Sequence, residues 1–107
     1  MNIDFKNSGK WVIAGFSGRI DGHTSPDCEQ ALKDKIGEGN HLIAIDLSDV
    51  DYMSSAGLRV LLATYKNLKA NTGDMALISP QESVAEVLDI SGFSSIFKIV
   101  NKIEELG

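Results

Sequence analysis

Two adjacent serines mark the segment of this 107-residue chain whose residue types and spacing suggest chemistry. Ser54 and Ser55 follow the run Asp46-Leu47-Ser48-Asp49-Val50-Asp51-Tyr52-Met53 and precede Ala56-Gly57-Leu58-Arg59, so they stand where a strand pattern gives way to a helix pattern. At a helix start the first backbone N–H groups lack partners and the macrodipole is positive. Serine is a favoured N-cap there, and one hydroxyl satisfies that role. The pair therefore reads either as a cap alone or as a cap beside a phosphorylation switch. A phosphoserine at a helix N-terminus is held by the same amides and dipole that bind free phosphate. Asp46, Asp49 and Asp51 pull the other way, because their charge would repel an added dianion.

Other chemistry finds less support. His23 and His41 lie in different segments without metal-ligand spacing. Gly15-Phe16-Ser17-Gly18 falls one residue short of a G-x-S-x-G elbow and reads as a strand end and turn. The ten glycines form neither G-x-G-x-x-G nor a Walker loop. Cys28 is the only cysteine, which rules out an internal disulfide and a cysteine metal cluster. It reads as a small core residue, and a lone thiol fits a reducing compartment. No catalytic dyad stands out, so neither an enzyme nor a cofactor is expected.

Composition narrows the partners. Ten Lys and Arg against fifteen Asp and Glu leave a net charge of −5. That argues against nucleic acid, whose binders need a basic face, and against an anionic membrane. The N-terminal MNIDFKNSGK is polar, with no apolar signal core. Apolar runs such as Val60–Ala63 fall far short of the ~18 residues that span a bilayer. The expectation is a cytoplasmic monomer with one domain over residues 1–107, and neither membrane nor nucleic acid as partner.

The elements that must position Ser54 and Ser55 are legible in outline. Asn2–Lys6 alternates, with Ile3 and Phe5 on one face, as a half-exposed edge strand does. Asn7-Ser8-Gly9 is a turn signal, and Lys10–Ser17 reads as a second strand that completes a hairpin. Thr24-Ser25-Pro26 supplies an N-cap and a first-turn proline, Cys28, Ala31, Leu32 and Ile36 follow at helical spacing, and Gly37 and Gly39 end the helix. His41–Leu47 is a nearly continuous apolar run, the mark of a strand covered on both faces. Ser54-Ser55 opens a second helix with a buried stripe of Leu58, Leu61, Leu62, Tyr65 and Leu68, stopped at Asn71-Thr72-Gly73. Asp74–Ile78 is a short strand. Ser79-Pro80-Gln81-Glu82 has the form of a capping box for a third helix that runs to Gly92. Ser95–Val100 is a last strand and Asn101–Leu106 a terminal helical turn. The order β-β-α-β-α-β-α-β-α predicts a small α/β domain: a mixed sheet, largely parallel, with helices packed on it and an antiparallel edge.

Three blocks, in this order, resemble the STAS-domain family, specifically the bacterial anti-sigma factor antagonists. Gly18-Arg19-Ile20-Asp21 is similar to the family's G-x-[LI]-D after the second strand. Asp46-Leu47-Ser48-Asp49-Val50 with Tyr52-Met53-Ser54-Ser55-Ala56-Gly57-Leu58 resembles its phosphorylation loop. Asp89-Ile90-Ser91-Gly92-Phe93 with Ile96-Phe97 resembles the segment closing the third helix.

The resemblance implies a STAS-like fold and a partner-switching module that regulates transcription or signalling. In the family, the unmodified antagonist binds a serine kinase that is also an anti-sigma factor. The kinase uses ATP to phosphorylate a loop serine, which ends the interaction, and a metal-dependent serine phosphatase restores it. The family's acceptor lies two residues before the loop glycine, here Ser55, with Ser54 the second candidate. Asp21 matches a family aspartate beside the loop. The expected partner surface comprises Asp21, Gly22, His23 and Thr24, the loop Ser54, Ser55, Ala56 and Gly57, and Arg59, with Thr64, Lys66 and Asn67 as further polar positions on the second helix. The best-known antagonists carry Asp immediately before the acceptor, where this chain has Ser54. Some members are not phosphorylated and serve as scaffold subunits of transport or signalling complexes, which is the alternative expectation.

Overall fold

In the computed structural model, which describes residues 1–106, the N-terminal alternation becomes β1 (Asn2–Ser8), with Ile3 and Phe5 half-buried against the core. β2 (Trp11–Ile20) pairs with it antiparallel, Ser8 opposite Trp11. Gly9 takes a φ of 61°, which the two-residue hairpin loop requires and glycine adopts without strain. β3 (Leu42–Met53), β4 (Asp74–Ile78) and β5 (Lys98–Val100) extend the sheet in the order β1-β2-β3-β4-β5, all parallel to β2. Helices α1 (Ser25–Gly37), α2 (Ser55–Ala70) and α3 (Glu82–Ile90) make the crossovers. This is the mixed α/β sheet that the sequence predicts.

The two faces of the sheet are covered differently. Leu32 and Ile36 of α1, Leu58, Leu61 and Leu68 of α2, and Val84 and Leu88 of α3 pack on Phe16, Ile43, Ile45, Leu47 and Leu77. The opposite face holds Trp11, Ile13, Ala44, Ala76 and Ile78, against which Ile103 and Leu106 of the C-terminal 3-10 turn pack. Central β3 is thus covered on both sides, and Ile43, Ala44 and Ile45 are each 0% exposed. That is why its sequence is apolar without alternation.

Several boundaries differ from expectation. β3 does not stop at Leu47 but continues through Ser48, Asp49 and Asp51 to Met53. Pro80 lies outside α3, whose N-cap is Gln81, and the capping box does not form. Ser79 instead ends the strand side, its N–H donating to Val100 O at 2.8 Å, while Gln81 Nε2 donates to Ser48 O at 2.8 Å. β5 is limited to three residues because Phe93–Ser95 form a 3-10 turn, and residues 103–106 are likewise 3-10. On α2, Val60 and Thr64 are buried while Leu62 and Tyr65 are only partly so. α1 lies beside α2 and covers that side, which removes Thr64 from any partner surface.

Candidate functional site

β2 and β3 run to the same end of the sheet, with Arg19 opposite Tyr52 and Ile20 opposite Met53. The next rung is Ser54 N–H donating to Ile20 O at 2.9 Å. There the chain leaves the strand. Ser54 is the N-cap of α2, in extended backbone (φ −91°, ψ 178°), and its Oγ accepts from the Ala56 amide at 3.2 Å. Ser55 is the first helical residue, and it is exposed. The two serines are therefore distinct: one caps the helix, and the other is open to solvent.

The amides at this helix start are unequally used. Leu58 N–H already donates to Ser54 O at 3.1 Å, so it is not available to a phosphate on Ser55. Among the described residues, the amides of Ser55 and Gly57 have no protein acceptor. Gly57 also fixes the seat of the helix. A Cβ there would lie 2.8 Å from Ile20 Cγ2 and 2.8 Å from Met53 Cγ. Only glycine lets the first turn of α2 rest directly on the ends of both strands.

The neighbouring turn follows β2. Asp21 Oδ1 accepts from the His23 amide at 3.0 Å and the Thr24 amide at 3.1 Å. Thr24 occupies the N-cap position of α1 but makes no side-chain cap bond. Its Oγ1 donates back to Arg19 O at 2.8 Å and accepts from the Asp21 amide at 3.0 Å. Ser25 N–H donates to Asp21 O at 2.8 Å, and Pro26 is the second residue of the helix rather than the first. The Thr24 amide, and after it the His23 amide, hold the Asp21 carboxyl below the ordinary aspartate range. Gly22 and His23 are exposed on the outside of this turn.

Arg19 was not among the candidate residues. Its guanidinium stacks 4.3 Å from the Tyr52 ring centroid, and its Nε lies 3.6 Å from Asp21 Oδ2. The pairing depends on the register of two strands far apart in sequence, which no local pattern encodes. Arg59 is exposed on α2 and lines an open groove of about 470 Å³ with Ser25, Glu29, Ala56, Leu62 and Lys66. The structure thus brings Asp21–Thr24, Ser54–Gly57 and Arg59 to one end of the molecule.

The aspartates are not all near. Asp46 and Asp49 line a separate hollow with Asp4 and Gly15, and Asp46 Oδ1 accepts from Ser48 N at 3.0 Å and Ser48 Oγ at 2.7 Å. At the strand rise, Asp46 sits about 23 Å and Asp49 about 13 Å before Met53, both beyond the Debye length of about 8 Å. Of the three, only Asp51, two residues before Met53, stays near the helix start. Cys28 is 0% exposed, and burial pushes its thiol up to about 11, as befits a core residue. Among the described residues no group of three or more His, Cys, Asp or Glu is placed to hold a metal ion, and no helix is long and apolar enough to cross a membrane.

Residues 2–106 match the family model described as the STAS domain. The chain belongs to the STAS family. This STAS domain is 37% identical over 93 residues to BtrV of Bordetella bronchiseptica, covering 87% of this chain and 80% of that one. It is 32% identical over 104 residues to the anti-sigma-B factor antagonist of Bacillus subtilis, covering 97% and 94%. It superposes on the crystal structure of TM1081 from Thermotoga maritima with a TM-score of 0.92 at 27% identity, covering 97% and 90%. Family and fold are those that the three sequence blocks imply.

Proposed function

We propose that this STAS domain is an anti-sigma factor antagonist that binds a serine-kinase anti-sigma factor while Ser55 is unmodified and is released when Ser55 is phosphorylated. The observation that carries the reading is the division between the serines: Ser54 Oγ caps α2, and exposed Ser55 stands near the Gly57 amide, which has no protein acceptor among the described residues. The name of the Bacillus subtilis relative supports the class. Ser54 in place of the family's Asp is compatible with it, because Ser and Asp are comparable N-caps.

In the switching step, Ser55 Oγ attacks the γ-phosphorus of ATP held by the kinase. The bond from that phosphorus to the β–γ bridging oxygen breaks, the hydroxyl proton passes to a base of the kinase, and ADP leaves. A metal-dependent serine phosphatase hydrolyses the ester, restoring the hydroxyl and releasing inorganic phosphate. The STAS domain itself is the substrate and the binding module, a cytoplasmic monomer without cofactor or catalysis of its own. Its partner surface comprises the turn Asp21, Gly22, His23 and Thr24, the helix start Ser54, Ser55, Ala56 and Gly57, and Arg59.

The phosphate leaves the fold intact. It accepts from the Gly57 amide and gains ~0.3–1 kcal/mol from the helix dipole. At the interface it adds a charge of about −1.5 to −2 beside Asp21 and partner carboxylates. Like charges brought together at the interface cost the complex ~3–4 kcal/mol, several hundred-fold in Kd. Calorimetric titration into a purified serine-kinase anti-sigma factor tests this. Ser55→Ala is expected to bind as tightly as the parent chain, and Ser55→Asp more weakly. Equal binding by both variants would move the function to the unphosphorylated scaffold class.

A further inference from the structure

We propose that Arg59 is an internal clamp for the phosphate of Ser55, withdrawing its guanidinium from the α1–α2 groove when that phosphate is present. The inference rests on Ser55 as the acceptor and adds how the modified surface differs from the unmodified one.

Ser55 and Arg59 are four residues apart on α2. At that spacing Cβ atoms are about 5–6 Å apart on one helix face. Helical side chains lean toward the N-terminus, so the Arg59 side chain is within reach of the turn that carries Ser55. Anion before cation is also the favourable order for such a pair. The guanidinium is free to respond. Arg19 lies beside Asp21, Lys35 beside Glu38, and Lys69 and Lys98 beside Asp74, whereas among the described residues Arg59 has no carboxylate within ion-pair distance. Its planar fork of donors matches phosphate oxygens two at a time, which a lysine cannot do. The other charged groups around this end are Arg19 of β2, held against Asp21 and Tyr52, Glu29 of α1 and Lys66 of α2 in the groove, Asp51 near the end of β3, and Asp21 with His23 on the adjoining turn. None of these is a cation one helical turn from Ser55.

Two surface features then change with one modification. Without phosphate, Arg59 presents a cation at the groove to a partner carboxylate. With phosphate, the cation turns back to the helix start, and the groove keeps Glu29 and Lys66.

The test uses the full chain with phosphoserine placed at position 55 by amber-codon incorporation, so that no kinase is needed. The phosphate is titrated by 31P NMR. Its second pKa is expected to be lower by about 0.2–0.4 unit in the parent chain than in Arg59→Gln, the size of an i,i+4 ion pair. Arg59→Lys is expected to restore part of that shift and Lys66→Gln to leave it unchanged. The Arg59 Nε–H resonance is expected to move on phosphorylation. Equal pKa values for the parent and Arg59→Gln, with an unmoved Nε–H, would overturn the clamp. So would a shift that disappears with Lys66→Gln instead. Failure of a kinase to modify Ser55 bears on the proposed function alone, because this phosphate is installed without one.

Discussion

Two turns leave the same end of the sheet from neighbouring parallel strands, and they treat their polar groups in opposite ways. After β2, Asp21 and Thr24 close on each other: the carboxylate takes two amides, and the threonine hydroxyl bridges Arg19 O and the Asp21 amide. After β3, Ser54 satisfies one amide, while the Ser55 hydroxyl and the Gly57 amide are left without a protein partner among the described residues. The first turn is a brace. The second is seated by Gly57 against Ile20 and Met53, so it is fixed in position yet chemically open. Buried polar groups are normally satisfied, and polar groups left open on a rigid mount are available to a modification or a partner.

The strongest blow to this arrangement is at the mount. Gly57→Val is expected to destabilise the domain by about 3 kcal/mol, the upper end for overpacking, because a β-branched side chain at Gly57 cannot avoid Ile20 and Met53. Urea denaturation measures it, and a loss below about 1 kcal/mol would show that α2 can lift off the strand ends without consequence.

The next test separates the two serines. Ser54→Ala removes the cap and is expected to cost about 1 kcal/mol. Ser55→Ala removes an exposed hydroxyl and is expected to stay within about 0.5 kcal/mol of the parent. Equal losses in parallel denaturation curves would erase the division of roles.

The smallest effect belongs to the brace. The Asp21 carboxyl is held below the ordinary aspartate range by the Thr24 and His23 amides. A carboxyl depressed in the folded state contributes stability above its unfolded pKa of about 4, and that contribution is lost as pH falls through the folded value. Asp21→Asn is therefore expected to flatten the stability profile below about pH 4 and to leave its neutral-pH shape unchanged. A carboxyl resonance of Asp21 that titrates at or above the ordinary value would contradict the brace.

Much of this frame was legible in the sequence. The N-terminal hairpin, the apolar run of β3 and the serine pair at a strand-to-helix junction each carry a local pattern, and the three family blocks lie in order along the chain. What was illegible depends on tertiary partners. Ser48, Asp49 and Asp51 look like a loop, yet they lie within β3 because β2 runs alongside as far as Ile20: Asp49 pairs with Ser17, while Ser48 and Asp51 fall at shifts in the register. Thr24 has the sequence of a cap, but Arg19 O lies closer to its purpose than the helix amides do. Thr64 looks like a surface position until α1 is placed beside it. The choice between Ser54 and Ser55 came from the family spacing rather than from residue chemistry, and the cap geometry now gives the two hydroxyls separate work.

The central claim is that the exposed serine, not the capping one, carries the switch. Incubating the parent chain, Ser54→Ala and Ser55→Ala with the serine kinase and ATP, then mapping phosphate by intact mass and fragmentation, tests it directly. One phosphoryl group is expected on Ser55 in the parent and in Ser54→Ala, and none in Ser55→Ala. Phosphate mapped to Ser54 in the parent, or retained in Ser55→Ala, would contradict it.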